Sequence, residues 1–97
     1  MRALLPPLYS QDSAGDDATV FVKFFTPDSS WTWFAIEFDG DHTFFGLVIG
    51  HETELGYFSL AELRAARGPL GLPIERDEAF TPRPLAQVRA DIQEARS

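Results

Sequence analysis

Eleven of the thirteen aromatic residues fall between Phe21 and Phe58, in runs that read VFVKFF, WTWFAIEF, TFFGLVIG and LGYF. Aromatic and β-branched side chains suit a pleated, packed surface, so these runs predict strands. The segments between them, PDSS, DGDH and HETE, combine turn residues with acids. Three strands are expected, over residues 18–26, 31–38 and 43–49. The pair Asp39 and Gly40 marks the hairpin between the last two, because glycine tolerates the positive φ of a tight turn.

Alternation along the second strand puts Thr32, Phe34, Ile36 and Phe38 on one face. Trp31, Trp33, Ala35 and Glu37 fall on the other. In this register Glu37 stands among the tryptophans, with Lys23 on the neighbouring strand as its simplest partner. A fourth short strand is expected at residues 55–58. It ends where Ser59 and Glu62 spell a helix-capping box. The helix that follows places Leu60 and Leu63 inward and stops before Gly68 and Pro69. An edge strand is expected near Ile74, since Pro69 and Pro73 exclude a central one. Leu85, Val88, Ile92 and Ala95 recur at helical spacing and predict a C-terminal helix.

The expected fold is therefore α+β, a small antiparallel β-meander of three to five strands with two short helices packed mainly on one face. One domain spans residues 1–97: an arm and loop at 1–17, the sheet at 18–58, and the helices with their Pro-rich connection at 59–97. Both faces of the sheet read as apolar. Phe34, Ile36, Phe38, Phe45, Leu47 and Ile49 form the main core, leaving Trp31, Trp33, Phe44 and Val48 on the second face. That face is covered by the arm, by the second helix or by a second copy of the chain, or else Trp31 and Trp33 belong to a partner-binding surface.

Composition narrows the chemistry. With no cysteine, disulfides, thiolate nucleophiles and thiolate metal sites are excluded. The opening MRALLPPLYS lacks the long apolar core of a signal peptide, and no run approaches the length of a membrane span, so a cytoplasmic protein is expected. The net charge of −7 resides wholly in residues 1–54, which carry nine acids against Arg2 and Lys23, while the six acids and six arginines of residues 55–97 cancel. A sheet of this sign repels phosphate backbones. Direct nucleic-acid binding is disfavoured, and a protein partner with a basic surface fits better.

Meander geometry gathers Asp12, Asp16, Asp17, Asp39 and Asp41 at one end of the sheet, and Asp28, Glu52, Glu54 and His51 at the other. The first group is the candidate acidic binding surface. No metal site is expected, because Asp39 and Asp41 supply only a fragment of a calcium loop. His42 and His51 are separated by a whole strand. No nucleophile elbow, phosphate loop or dinucleotide spacing is present, so neither a catalytic site nor a cofactor is expected.

The blocks LLPPLYS, VKFFTPDSSWTWFAIEFDGD, FFGLVIGHETELGYFSLAEL and RGPLGLPIERD resemble the signature blocks of a bacterial domain-of-unknown-function family, from Leu4 to about Leu85. Members of that family are found on plasmids, conjugative elements and phages, sometimes within larger proteins that carry anti-restriction domains. Tyrosine is the more frequent residue at the position of Phe34, so no hydroxyl acts there in this chain. The resemblance implies a small acidic accessory protein of a mobile element, an inhibitor of a restriction enzyme or CRISPR effector that offers carboxylates where phosphates are expected. A binding or scaffold module using the Trp31 and Trp33 face is the alternative, and an enzyme acting on a small substrate is a third.

Overall fold

The acids and turn residues interrupt the aromatic runs where the chain reverses. In order come β1 (Thr19–Val20), β2 (Val22–Phe25), β3 (Thr32–Phe38), β4 (Thr43–Ile49), β5 (Thr53–Ser59), α1 (Leu60–Ala65), β6 (Glu75–Arg76), β7 (Arg83–Pro84) and α2 (Leu85–Arg96). This computed structural model describes residues 5–11, 15–27, 31–50, 52–67 and 69–96, the last two by backbone alone. Five strands form an antiparallel sheet in the order β5-β4-β3-β2-β6, and β1 pairs with β7 in a separate ribbon. The α+β meander is thus as expected, with β6 as the edge strand next to Ile74.

Two irregularities decide which side chains meet. On β3 the register against β4 slips between Ala35 and Glu37, so that Ile36 is an extra residue. A bulge of this kind reverses the facing of everything beyond it. Phe38 therefore joins the Trp33 face, where it stacks on Phe44 at 4.3 Å between ring centroids. Glu37 passes to the opposite face, paired with Phe45. Both placements reverse the expectation from strict alternation. The second irregularity lies on the neighbouring strand, where the Phe21 N–H donates to the Ala35 carbonyl while Val22 is already aligned with Ala35. Val20 and Val22 consequently bury on opposite sides.

Both faces are covered. One holds Val22, Phe24, Trp33, Ala35, Phe38, Phe44 and Phe58 under Leu63 of α1 and Leu5 of the arm. The other holds Phe34, Ile36, Leu47 and Ile49 under Leu85 and Val88 of α2, with Ile92 at the margin. The helices are therefore divided between the faces rather than packed mainly on one. Ala95 lies beyond the described side chains.

Local chemistry sets the helix ends. Ser59 is the N-cap of α1, its hydroxyl accepting the Glu62 N–H at 2.9 Å. At the other end Ala66 is extended and ends the helix; Gly68 lies outside the described residues. The start of α2 is tied to the sheet by the Leu85 N–H donating to the Ala18 carbonyl at 2.8 Å.

Candidate functional site: a groove between Trp31 and the edge strand

A single cross-strand line organises the α1 face. Register aligns Glu54 with Val48, Val48 with Trp33, Trp33 with Phe24, and Phe24 with Arg76, from β5 at one edge to β6 at the other. Trp33 lies mid-sheet and is only 8% exposed, whereas Trp31, just before β3, is 37% exposed. Their ring centroids are 5.9 Å apart with planes inclined by 30°. Trp31 can lie flat here because Gly50 has no side chain: a Cβ at Gly50 would stand 2.3 Å from the indole. Trp31 is thereby fixed as the rim of a surface and Trp33 as its floor.

Beside them opens a groove of about 470 Å³ lined by Trp31, Trp33, Val48, Glu54, Gly56 and Glu62. On the other side of α1 lies a second groove, of about 350 Å³, lined by Phe24, Leu60, Leu63, Arg64, Ile74 and Arg76. The 100° step between helix residues explains the division. With Leu63 directed at the sheet, Glu62 projects from one flank of α1 and Arg64 from the other. Among the described residues none of these four charged side chains makes an ion pair. Chemically, the first groove offers an indole and two carboxylates, a setting that favours cations.

The candidate acidic surface is more dispersed in use. Asp12 lies outside the described residues, as do Asp28 and His51. Asp16 meets Arg89 of α2, Nε to Oδ1 at 3.3 Å, and Asp17 is exposed beside it in a short 3-10 turn. Asp39 holds the β3–β4 hairpin: its Oδ1 accepts the N–H groups of Asp41 at 2.8 Å, His42 at 2.8 Å and Thr43 at 3.0 Å. These bonds, led by that from Thr43, bring its pKa from the ordinary 3.8 to about 2. Asp41 lies 3.2 Å from the His42 imidazole, and its side chain is 83% exposed. Asp39 thus builds a turn, while Asp17 and Asp41 face solvent. Among the described residues no group of three or more His, Asp or Glu is arranged to hold a metal ion.

Glu37 is the acid whose surroundings the sequence misjudges. It is 2% exposed and accepts two backbone bonds from the arm, Tyr9 N–H at 2.8 Å and Gln11 N–H at 2.7 Å. Lys23 instead approaches Asp77 at 3.5 Å. The Gln11 amide completes the junction, accepting from the Thr19 N–H and donating to the carbonyls of Thr19 and Ile36.

Sequence reasoning also misses Glu54, Glu62, Arg64 and Arg76 as a set. The signal was available in part. The helical spacing around Leu63 separates Glu62 from Arg64, and the hairpin after Ile49 places Glu54 across from Val48. No rule of spacing brings β6 alongside β2.

These features define a small α+β protein built on a five-stranded antiparallel sheet, with one short helix on either face and an aromatic, acid-rimmed groove. The chain belongs to the family described as "Protein of unknown function (DUF2958)", which it matches over residues 4–96. No curated protein and no solved structure matches it. No helix among the described residues is long and apolar enough to cross a membrane.

Proposed function

We propose that this chain is a non-enzymatic interaction protein that takes up cationic side chains of a protein partner in the Trp31 groove. The observation that supports this reading is the placement of Glu54 and Glu62, neither in an ion pair among the described residues, beside a partly exposed indole. A guanidinium or ammonium entering there gains the face of Trp31 and two carboxylates together. The net charge of −7 adds attraction at longer range.

Titration with a synthetic peptide of alternating Arg and Leu, read by tryptophan fluorescence, tests the proposal. Only Trp31 and Trp33 contribute that signal. Saturable binding that is lost in Trp31→Ala and in Glu54→Lys with Glu62→Lys supports it. Equal binding by those variants overturns it.

A second reading keeps the acidic end of the sheet as the active surface, supported by the solvent-facing Asp41 and Asp17. In this reading the chain is a cytoplasmic counter-defence protein of a mobile element, offering carboxylates to the basic groove of a nucleic-acid enzyme. Restriction of incoming plasmid DNA, measured in a restricting host with and without the chain, tests it. Unchanged restriction, or relief that persists in Asp17→Lys with Asp41→Lys, removes this reading.

A further inference from the structure

The two grooves beside α1 have opposite signs, and both lie on one face of one chain. Glu54 and Glu62 line the first; Arg64 and Arg76 line the second. Glu54 and Arg76 also terminate the same cross-strand line, Glu54–Val48–Trp33–Phe24–Arg76. Four strand spacings separate its ends, roughly 19 Å at about 4.8 Å each. The middle of the line lies buried beneath α1, so the outer surface is acidic on one flank of the helix, presents the small Ala61 and Ala65 along its crest, and is basic on the other flank.

Such a surface is complementary to itself under one symmetry operation. A two-fold axis lying in the interface and perpendicular to that line superposes the acidic groove of one copy on the basic groove of the other, twice over. A two-fold axis along the line would set Glu54 against Glu54, which like charges disfavour. Closed dimers require an isologous patch of this kind, in which each contact occurs twice. The helix between the grooves turns Ala61 and Ala65 away from the sheet, on the side opposite buried Leu63, so little side-chain bulk holds two copies apart.

We propose that the partner received by this face is a second copy of the chain, with the acidic groove of each protomer, lined by Glu62 and Glu54, set against the basic groove of the other, lined by Arg64 and Arg76. The inference rests on the reading of the Trp31 groove as a site for cationic side chains and names their source. It also assigns the basic groove, which that reading leaves unused. The occupant is selected by charge: the four side chains have no ion-pair partner among the described residues, and the complementary set exists on the same molecule. Long-range repulsion between two chains of −7 opposes association. At physiological salt this repulsion is screened beyond about 8 Å, while contact pairs at a closed interface are screened less.

Sedimentation equilibrium over a range of concentrations at physiological salt tests the proposal. The native chain is expected to reach twice its monomer mass. The double variant Glu54→Lys with Glu62→Lys should be monomeric, as should Arg64→Glu with Arg76→Glu. Mixing the two variants in equal amounts should restore a dimer containing one chain of each, because every pair is then opposite in sign again. Circular dichroism of each variant checks that it is folded, and the restored mixture itself excludes misfolding as the cause. A native chain that stays monomeric throughout, or a mixture that fails to associate, overturns the proposal. A monomeric chain that still binds the Arg-Leu peptide through Trp31 would remove the second copy alone and leave the groove reading intact.

Discussion

Tyr9 donates its backbone N–H to Oε1 of Glu37 at 2.8 Å, joining the N-terminal arm to the middle of the sheet across 28 residues of chain. Gln11 occupies the other carboxylate oxygen at 2.7 Å. Bonds to an ionised acceptor contribute about 1.5–3 kcal/mol each, and an unsatisfied buried N–H costs more than an exposed one. Glu37→Ala is accordingly expected to destabilise the fold by about 3–6 kcal/mol through the two lost bonds. Urea denaturation measures this. Amide exchange should show the Tyr9 and Gln11 N–H groups losing protection first.

The β3–β4 hairpin carries an acid-dependent component of stability. The Asp39 carboxyl has a pKa of about 2 in the folded chain against an ordinary 3.8. A folded-state value below the unfolded one stabilises at higher pH, and the contribution disappears as the group is protonated. Stability from Asp39 should thus be fully present above pH 4 and decline between about 3.8 and about 2. Thermal melts of Asp39→Asn should be lower than native at neutral pH, with the difference narrowing across that window. A constant difference from pH 7 to pH 2 would contradict this origin.

Two aligned glycines on β4 and β5 should respond very differently to the same change. A Cβ at Gly46 would stand 1.9 Å from the Phe34 carbonyl oxygen, whereas one at Gly56 would have no atom within 4 Å. Overpacking against backbone costs about 1–3 kcal/mol or more, so Gly46→Ala should be strongly destabilised. Gly56→Ala should remain within about 0.5 kcal/mol of native. Chemical denaturation of the pair provides the comparison.

Gly50→Ala separates the position of Trp31 from the stability of the sheet. The new methyl meets the indole, a side chain at the surface, rather than main chain. Expected are a red-shifted tryptophan emission as Trp31 is displaced into water, and weaker peptide binding. The denaturation midpoint should change much less than for Gly46→Ala.

Most of the architecture was legible because it depends on short-range chemistry. Asp39 and Gly40 announced their hairpin, Ser59 and Glu62 announced the start of α1, and Leu85, Val88 and Ile92 announced α2. What was not legible depended on single residues of register. Strict alternation assigns Phe38 and Glu37 to the wrong sides because the bulge at Ile36 leaves no mark in composition. Partners distant in sequence were equally hidden: Lys23 with Asp77, and Glu37 with the main chain of the arm. The acidic residues were visible as a cluster, but not that Asp39 spends its carboxylate on the turn while Asp16 meets Arg89. The oppositely charged grooves required knowing that β6 lies beside β2 and that α1 crosses the sheet between them.

The extra residue at Ile36 gives β3 a frame, in the sense that a message has one. Upstream of it, odd positions look toward α1; downstream, even positions do. The same residues threaded through a regular ladder, with Ile36 kept and the bulge removed, would send Glu37 into the aromatic stack and Phe38 to the opposite face. The length of this strand, counted from Thr32, is thus a coded quantity, and a residue inserted just after Ile36, which turns Glu37 and Phe38 to the wrong faces, should be far worse tolerated than a conservative substitution at the same place.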